Sequence, residues 1–275
     1  MPKTEFKSKI KAYYAQSVEE EWRRLTNGAL NRLEFDTTIY LLNKYLPKKG
    51  LILDAGSGPG RYTFSLAAKG YDMVMLDFTP ANLEFAKRKA RRLGLQNKTK
   101  GIVEGSLDDL SMFDSNSFDA VICLGGPLSH VMSKIRREKA VYELVRVAKP
   151  GAYVFVSVMN MMSNMVGYLR DFQREMSAPY FKNFTKTGDY PGGYGFTAYH
   201  GFTPEELHAI FKNTGAEVLG ISALEGFASY SAKELDRLHR NKKRWNVWIQ
   251  VHRSMLMHPS CVGVSQHILA ICRKH

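Results

Sequence analysis

Residues 53–62 have the sequence LDAGSGPGRY, in which three glycines stand at alternate positions. The apolar run 51–53 and an acid come before the glycines, and a helix-like segment, 62–69, follows them. A glycine-rich loop between a strand and a helix lets a ligand approach the backbone closely at the edge of a parallel sheet. The stretch therefore predicts a nucleotide-type site, and the spacing of its glycines restricts the ligand.

Two common phosphate-binding patterns do not match this loop. A P-loop requires Lys-Ser or Lys-Thr after its last glycine, and neither pair follows here. A dinucleotide fingerprint requires G-x-G-x-x-G/A, and Gly56 and Gly58 fit its first two positions. The third position is Arg61, which is too bulky for close packing of helix on strand. The pattern that remains is D-x-G-x-G-x-G, which ends at Gly60.

Apolar runs and helical patterns alternate along the chain around this loop. Alternation of this kind indicates βαβ units and a parallel sheet. The apolar runs cover residues 51–53, 72–76, 101–103, 118–124 and 153–158, and helical patterns cover 62–69, 80–93 and 135–148.

Changes in this pattern divide the chain into four segments. Residues 1–47 form a helical cap, because leucine and isoleucine recur at helical spacing until Pro47. Residues 48–158 form the ligand-binding core. Residues 159–200, rich in Met, Tyr, Phe and Gly, are long enough to predict a lid or substrate insertion. Residues 201–275 complete the sheet, with a helix capped by Thr203, a strand at 217–221, a long basic helix at 231–257 and a final strand at 267–272.

Composition sets limits on the partners. The net charge is +13 over 275 residues, with basic clusters at 87–92, 136–137 and 240–244. A basic surface suits anionic partners such as nucleic acid. The first cluster also fits the solvated face of an amphipathic helix, because Leu83, Ala86, Ala90 and Leu93 fall on the opposite stripe.

Cysteine usage and the N-terminus indicate a reduced, cytoplasmic protein. The three cysteines have no C-x-x-C spacing, which argues against a disulfide framework and a structural zinc site. The N-terminus lacks the apolar segment of a signal peptide. The most apolar stretch, 152–158, is too short to span a bilayer.

Two further acids indicate a nucleoside. Asp77 ends the second apolar run, 23 residues after Asp54, where a carboxylate accepts hydrogen bonds from ribose hydroxyls. Its charge would repel a 2′-phosphate, which argues against NADP. Asp108 follows the third run, where it could accept from an adenine amino group, and Phe78 could pack on the purine. Ribose and adenine contacts without a phosphate anchor suggest a nucleoside with an amino-acid tail.

Blocks spread over residues 48–158 and 200–222 carry a family resemblance. The chain resembles the class I S-adenosylmethionine (SAM)-dependent methyltransferases, of the UbiE-like or "type 11" small-molecule group. The matching blocks are LDAGSGPGR (53–61), VMLDFTP (74–80), EGSLDDL (104–110), FDAVICLGGPLSHV (118–131), LVRVAKPGAYVFVSV (144–158) and GFTPEELHAIFKNTGAEVLGI (201–221).

The resemblance implies a fold and a cofactor. The fold is a Rossmann-like, doubly wound α/β sheet of seven strands with the last strand antiparallel, carrying N-terminal helices and a lid insertion after strand 5. The cofactor is SAM, and its product is S-adenosylhomocysteine (SAH). The residues expected to bind it are Asp54, Gly56, Ser57, Gly58, Gly60, Asp77, Phe78, Ser106, Leu107, Asp108, Leu124 and Gly125.

The acceptor side is less well defined by sequence. The [DN]-P-P-[YFW] signature of nucleic-acid amino-methyltransferases is absent, and Cys123 lies inside a strand as a core thiol. His130 and His200 are the candidate catalytic bases. Candidate substrate-binding residues are Tyr14, Trp22, Glu34 and Tyr199. The histidines show no metal-ligand spacing, so we predict no metal site.

Three functions remain open at this point. The favoured one is methyl transfer to an O, N or S atom of a small-molecule acceptor, because the insertion resembles a lid and no nucleic-acid module is added. The alternatives are a tRNA or rRNA methyltransferase that uses the basic surface, and a non-catalytic SAM-binding regulatory protein. The sequence leaves the oligomeric state open.

Overall fold

A computed structural model describes residues 3–193 and 196–275, and its centre is a seven-stranded sheet. The strand order is β3-β2-β1-β4-β5-β9-β8, and β6 and β7 form a separate two-residue ribbon. The strands are β1 (Leu51–Ala55), β2 (Asp72–Asp77), β3 (Thr99–Glu104), β4 (Phe118–Cys123), β5 (Ala148–Met159), β6 (Asp189–Tyr190), β7 (Tyr199–His200), β8 (Ala216–Ala223) and β9 (His267–Lys274).

Helices precede the sheet, connect its strands and form part of the insertion. They are α1 (Lys3–Gln16), α2 (Val18–Arg24), α3 (Gly28–Tyr45), α4 (Arg61–Ala67), α5 (Pro80–Leu93), α6 (Lys134–Val147), α7 (Met161–Arg170), α8 (Phe181–Thr187), α9 (Pro204–Ala209), α10 (Ala232–His239), α11 (Lys242–Met255) and α12 (Pro259–Val264). None of the helices in the described part of the chain combines the length and the apolarity that crossing a bilayer requires.

The strand directions confirm the predicted fold class. Strands β1 to β5 pair in parallel, whereas β9 runs antiparallel to both of its neighbours, β5 and β8. The predicted doubly wound sheet with an antiparallel last strand is therefore present.

The central strands are buried on both faces. Successive side chains of a strand point to opposite sides, so β4 supplies two different layers of the core. Val121 and Cys123 pack in the layer that includes Leu144 of α6, whereas Ile122 packs in the layer that includes Leu42 of α3. This two-sided burial explains why the strands are continuous apolar runs rather than alternating patterns.

The predicted long helix at 231–257 is wrong, because two helices occupy these residues. Helix α10 ends at His239 and α11 begins at Lys242, and the side chain of Asn241 accepts a hydrogen bond from the Arg244 N–H at 3.1 Å. A capping asparagine satisfies a free N–H at the start of the second helix and so favours the break.

Two additions cover the carboxyl edge of the parallel strands. Helices α1 and α2 lie on one side, and Ile10 of α1 is only 2% exposed. The insertion supplies the other side with a cluster of buried rings, Tyr168, Phe184, Tyr190 and Tyr199. Tyr194 and Gly195 of the predicted insertion lie outside the described residues.

Candidate active site

A cleft opens where β1, β2 and β4 end, below α1 and α2. The glycine loop after β1, Asp77 at the end of β2 and Leu124 after β4 line its floor. The cleft lies at this edge because parallel strands carry all their carboxyl ends to one side of the sheet. Ten of the twelve residues predicted to bind the cofactor line the cleft, namely Gly56, Ser57, Gly58, Asp77, Phe78, Ser106, Leu107, Asp108, Leu124 and Gly125.

The glycine loop is held against the neighbouring strands. The N–H groups of Gly56 and Ser57 donate to the Leu76 carbonyl at 2.7 and 3.0 Å. A Cβ atom on Gly56 would lie 2.4 Å from Cβ of Pro127, and the residue has a positive φ of 78°. Glycine is therefore required at this position by both space and backbone conformation.

Asp77 ties the end of β2 to the loop. One carboxylate oxygen accepts the Gly58 N–H at 2.8 Å, and the other accepts the Thr79 N–H at 2.8 Å and the Asn82 amide at 3.2 Å. Burial raises the pKa of Asp77, while these three donors oppose the rise. The carboxylate is thus preorganised in the floor of the cleft.

Asp54 and Gly60, the other two predicted cofactor residues, are not among the described residues that line the cleft. Asp54 is buried and accepts a hydrogen bond from the Thr63 hydroxyl at 2.5 Å. Burial raises the pKa of its carboxyl to about 7. Asp54 therefore supports the loop from below in this structure.

Asp108 lies at the third strand end with an unpredicted partner. Ser106 donates to one of its carboxylate oxygens at 2.6 Å, and Arg136 of α6 donates to the other at 2.5 Å. Burial would raise the pKa of Asp108, but the hydrogen bonds from Arg136 and Ser106 outweigh it and lower the pKa. Arg136 also lines the cleft, and the basic pair at 136–137 was the sequence signal for it.

Tyr14 and His130, both predicted for the acceptor side, line the cleft and contact each other. Tyr14 extends from α1, and His130 lies in the short turn Pro127–His130 that follows β4. The Tyr14 hydroxyl lies 2.7 Å from Nε2 of His130. Burial lowers the pKa of His130 to about 4, so its imidazole is neutral near pH 7.

His200 was predicted as a second catalytic base, and the structure corrects that expectation. It is not among the described residues that line the cleft, and it is 2% exposed. Its ring lies between Asp189 and Glu206, at 2.7 and 2.9 Å. Burial disfavours its charge, but these two carboxylates raise its pKa overall. The sequence shows the histidine but not the carboxylates that enclose it.

Three predicted substrate contacts also lie elsewhere, since none of them is among the described lining residues. The guanidinium group of Arg61 packs over the Trp22 ring, with Cζ 3.6 Å from the ring centroid. Glu34 is 1% exposed and accepts Arg24 Nη1 at 2.7 Å. Tyr199 lies in the ring cluster of the insertion.

Arg24 and Glu21 also line the cleft, although the sequence did not identify them as site residues. Arg24 Nη2 lies 3.3 Å from the point where a Cβ on Gly125 would be, which places the guanidinium beside the end of β4. Burial disfavours the charge of Arg24, but Glu34 and Glu21 raise its pKa overall. The i,i+3 spacing of Glu21 and Arg24 on α2 was the available signal.

Comparison with known proteins identifies the domain. A family model described as a methyltransferase domain matches residues 52–151. A glycine/sarcosine N-methyltransferase from Parasynechococcus marenigrum is 29% identical over 148 residues, which cover 54% of this chain and 51% of that protein. A ubiquinone biosynthesis O-methyltransferase from Alkalilimnicola ehrlichii is 31% identical over 40% of this chain and 41% of its own length. The chain thus spans about half the length or less of these relatives.

Solved structures share the fold over a larger part of the chain. A SAM-dependent methyltransferase from Methanosarcina mazei has a TM-score of 0.59 at 23% identity, covering 85% of this chain and 96% of that one. A 1,6-didemethyltoxoflavin-N1-methyltransferase from Burkholderia thailandensis, solved with 1,6-didemethyltoxoflavin and SAH, has a TM-score of 0.60 at 14% identity, covering 100% and 91%.

The floor of the cleft has hydrogen-bonding capacity that fits SAM. Asn82 Oδ1 is buried beside Asp77 and has no hydrogen-bond partner among the described residues. A free acceptor next to a carboxylate suits a ligand with neighbouring hydroxyl groups, such as a ribose. Residues 52–151 thus match a methyltransferase domain, and the chain has the seven-stranded fold of the SAM-dependent methyltransferases, with a cleft whose floor fits SAM.

Proposed function

We propose that the chain transfers a methyl group from SAM to an oxygen, nitrogen or sulfur atom of a small-molecule acceptor. The observation that carries the proposal is one cleft that joins the glycine loop and Asp77 to Tyr14 and His130. The names of the relatives support it, since one is an N-methyltransferase for glycine and sarcosine and another an O-methyltransferase.

Within this proposal, the floor of the cleft holds the cofactor. Asp77 and Asn82 would accept hydrogen bonds from the ribose hydroxyls, and the residues from Ser106 to Asp108 would hold the adenine. The glycine loop would hold the methionine part, and Leu124 and Gly125 would contact the end that carries the methyl group. SAM supplies a methyl group bound to a positively charged sulfur. The leaving group is a neutral thioether, so its departure needs no acid. The protein therefore mainly has to align the acceptor.

The roof of the cleft favours a small acceptor. Phe6, Ile10 and Tyr14 of α1 line it from above. The insertion reaches the same place, because the ring of Phe196 packs 5.6 Å from Tyr13 and 5.9 Å from His130. An enclosure formed by two covering elements suits a metabolite.

The basic cluster of α5 provides no separate reason to prefer a nucleic-acid acceptor. In α5, Lys87, Arg88 and Arg91 are exposed, whereas Leu83 and Ala86 on the opposite side are buried. This is the arrangement of a solvated amphipathic helix. The proposal therefore rests on the enclosed cleft.

Replacement of Asp77 tests the cofactor half of the proposal. We expect Asp77→Ala to weaken SAM and SAH binding by about 1.5–3 kcal/mol, roughly 10- to 150-fold, because a charge-assisted hydrogen bond is lost. Isothermal titration calorimetry measures both ligands. Asp72→Ala, at the opposite end of β2, is the control and should keep wild-type affinity. Equal affinities in wild type and Asp77→Ala would contradict the ribose assignment.

An acceptor panel tests the transfer itself. The protein is incubated with SAM and metabolites that carry phenol, amine, carboxylate or thiol groups, and mass spectrometry detects gain of one methyl group together with SAH. Methylation of a small molecule supports the proposal. Binding of NADH without binding of SAM would refute it.

A further inference from the structure

Tyr14 and His130 form a chain of hydrogen bonds whose direction the structure fixes. Nδ1 of His130 lies 2.9 Å from the carbonyl oxygen of Ala198 in the insertion. A carbonyl oxygen only accepts, so Nδ1 carries the hydrogen and donates it. A neutral imidazole has one N–H, which leaves Nε2 as an acceptor. Tyr14, 2.7 Å from Nε2, is therefore the donor in its bond to His130.

Neither ring changes its charge near neutral pH. Burial lowers the pKa of His130 to about 4, against the smaller effect of the Ala198 carbonyl. Burial also raises the pKa of Tyr14 above its usual value, and Glu21 adds to the rise while Arg24 opposes it. Both groups are thus neutral, and the hydrogen-bond direction set by Ala198 holds.

The pair is also held in place by its neighbours. The rings of Tyr14 and His130 meet edge to face with centroids 5.2 Å apart, and Tyr13 packs on Tyr14 at 5.3 Å. Phe196 contacts the His130 ring from the insertion. Because α1, the turn after β4 and the insertion all contribute, the Tyr14 hydroxyl has little freedom to rotate toward another acceptor.

The hydroxyl of Tyr14 therefore offers the cleft an oxygen lone pair and no hydrogen. On the basis of the proposed function, we propose that Tyr14 is a specificity-determining residue that accepts a hydrogen bond from the acceptor molecule. It selects acceptors whose nucleophilic atom carries hydrogen, as an N–H, O–H or S–H group, and rejects the ether, thioether or tertiary amine of the same shape. His130 acts through Tyr14 as a positioning residue.

Matched small probes test this selection without knowledge of the natural acceptor. With the protein saturated in SAH, phenol and anisole are titrated by protein-observed NMR, and toluene and ethylbenzene report the cost of the larger group alone. Each pair gives a ratio of dissociation constants, anisole over phenol and ethylbenzene over toluene. In wild type we expect the first ratio to exceed the second roughly five- to tenfold, and we call this factor the excess. Tyr14→Phe should remove this excess, and Tyr13→Phe should retain it.

Specific results would overturn the inference. They are an excess near one in wild type, an excess that persists in Tyr14→Phe, or no detectable phenol binding. The SAH titration in the same samples reports on the proposed function separately, because failure of SAH to bind counts against the cofactor assignment alone.

A second measurement reads the hydrogen-bond direction directly. In protein labelled with ¹⁵N at histidine, we expect the His130 resonances of a neutral ring protonated at Nδ1 from pH 6 to 8, assigned by their loss in His130→Asn. A ring protonated at Nε2, or at both nitrogens at pH 7, would leave the Tyr14 hydrogen free for the cleft and would overturn the inference.

Discussion

Gly56 is the residue of the loop at which the surrounding structure leaves least space. Its missing side chain accommodates Pro127, whereas Gly58, which also has a positive φ, has no atom within 4 Å of its would-be Cβ. The two glycines thus share a backbone constraint and differ in packing.

This difference gives a matched prediction. Gly58→Ala should lower the free energy of unfolding by about 1–2 kcal/mol through backbone strain. Gly56→Ala should cost about 1–3 kcal/mol more, because its methyl group overlaps the proline. Urea unfolding of both variants measures the difference, and equal losses would show that Pro127 moves away without cost.

At this scale the sequence located Asp77 and Asp108 at the cleft, but it did not locate Trp22, Glu34 and His200 correctly. Asp77 and Asp108 could be assigned because a strand end fixes where a carboxylate points. Trp22, Glu34 and His200 could not, because a side chain on a helix or insertion turns to whatever partner the tertiary structure supplies. Glu34 turns inward to Arg24, since a buried carboxylate requires a paired cation.

Helix α1 is held to the cleft by the buried side chain of Ile10 and by the contact of Tyr14 with His130, whereas exposed contacts such as Lys11 with Glu104 contribute little. We expect Ile10→Ala to lower the opening free energy of α1 by about 2 kcal/mol or more, with the central strands unaffected. Native-state hydrogen exchange measures this, and Ser8→Ala at an exposed position of the same helix is the control. Uniform loss of protection across the sheet would contradict a local role.

Helix boundaries were predictable only where a capping residue was taken into account. The spacing of apolar residues from 231 to 257 is helical throughout, so periodicity alone predicted one helix where the structure has α10 and α11. Asn241 carries the missing information, since its side chain caps α11. Strand directions were a different matter. Alternation predicted the parallel strands, but the antiparallel direction of β9 came from the family resemblance, because hydrophobic periodicity contains no direction.

The molecule as a whole is joined across its two halves by a buried ionic group. Arg24 in the cleft wall pairs with Glu34 of α3, and Glu34 lies 3.9 Å from His267 of β9. His267 donates to Glu225 at 2.7 Å. Burial disfavours the charge of His267, but Glu34 and Glu225 raise its pKa overall. Charge therefore links the cleft to the antiparallel side of the sheet.

This group should make stability depend on pH with a definite sign. Because the folded pKa of His267 is raised, its contribution is fully present below about pH 6.5 and is lost as pH rises through the folded pKa. The difference in unfolding free energy between wild type and His267→Asn should thus be largest near pH 6 and become smaller toward pH 9. Urea unfolding across this pH range measures the difference.

His252 provides the opposite case in the same region. Burial lowers its pKa to about 4, and Thr37 lies 3.0 Å from its Nε2. Its contribution is present above about pH 6.5 and is lost as pH falls toward 4, because the unfolded chain takes up the proton first. His252→Asn should therefore show its largest effect at alkaline pH. Profiles of the same sign for both histidines would contradict these assignments.

The position of β9 has a consequence for the order of events during synthesis. Strand β8 pairs in the sheet with β9 and with no other strand of the described chain, and β9 lies between β8 and β5. Residues 216–223 therefore emerge from the ribosome before their native partner strand, residues 267–274, has been made. Until then β5 is an open edge that invites pairing with another nascent chain. The parallel half can fold as it appears, but closure of the sheet is a late, long-range step.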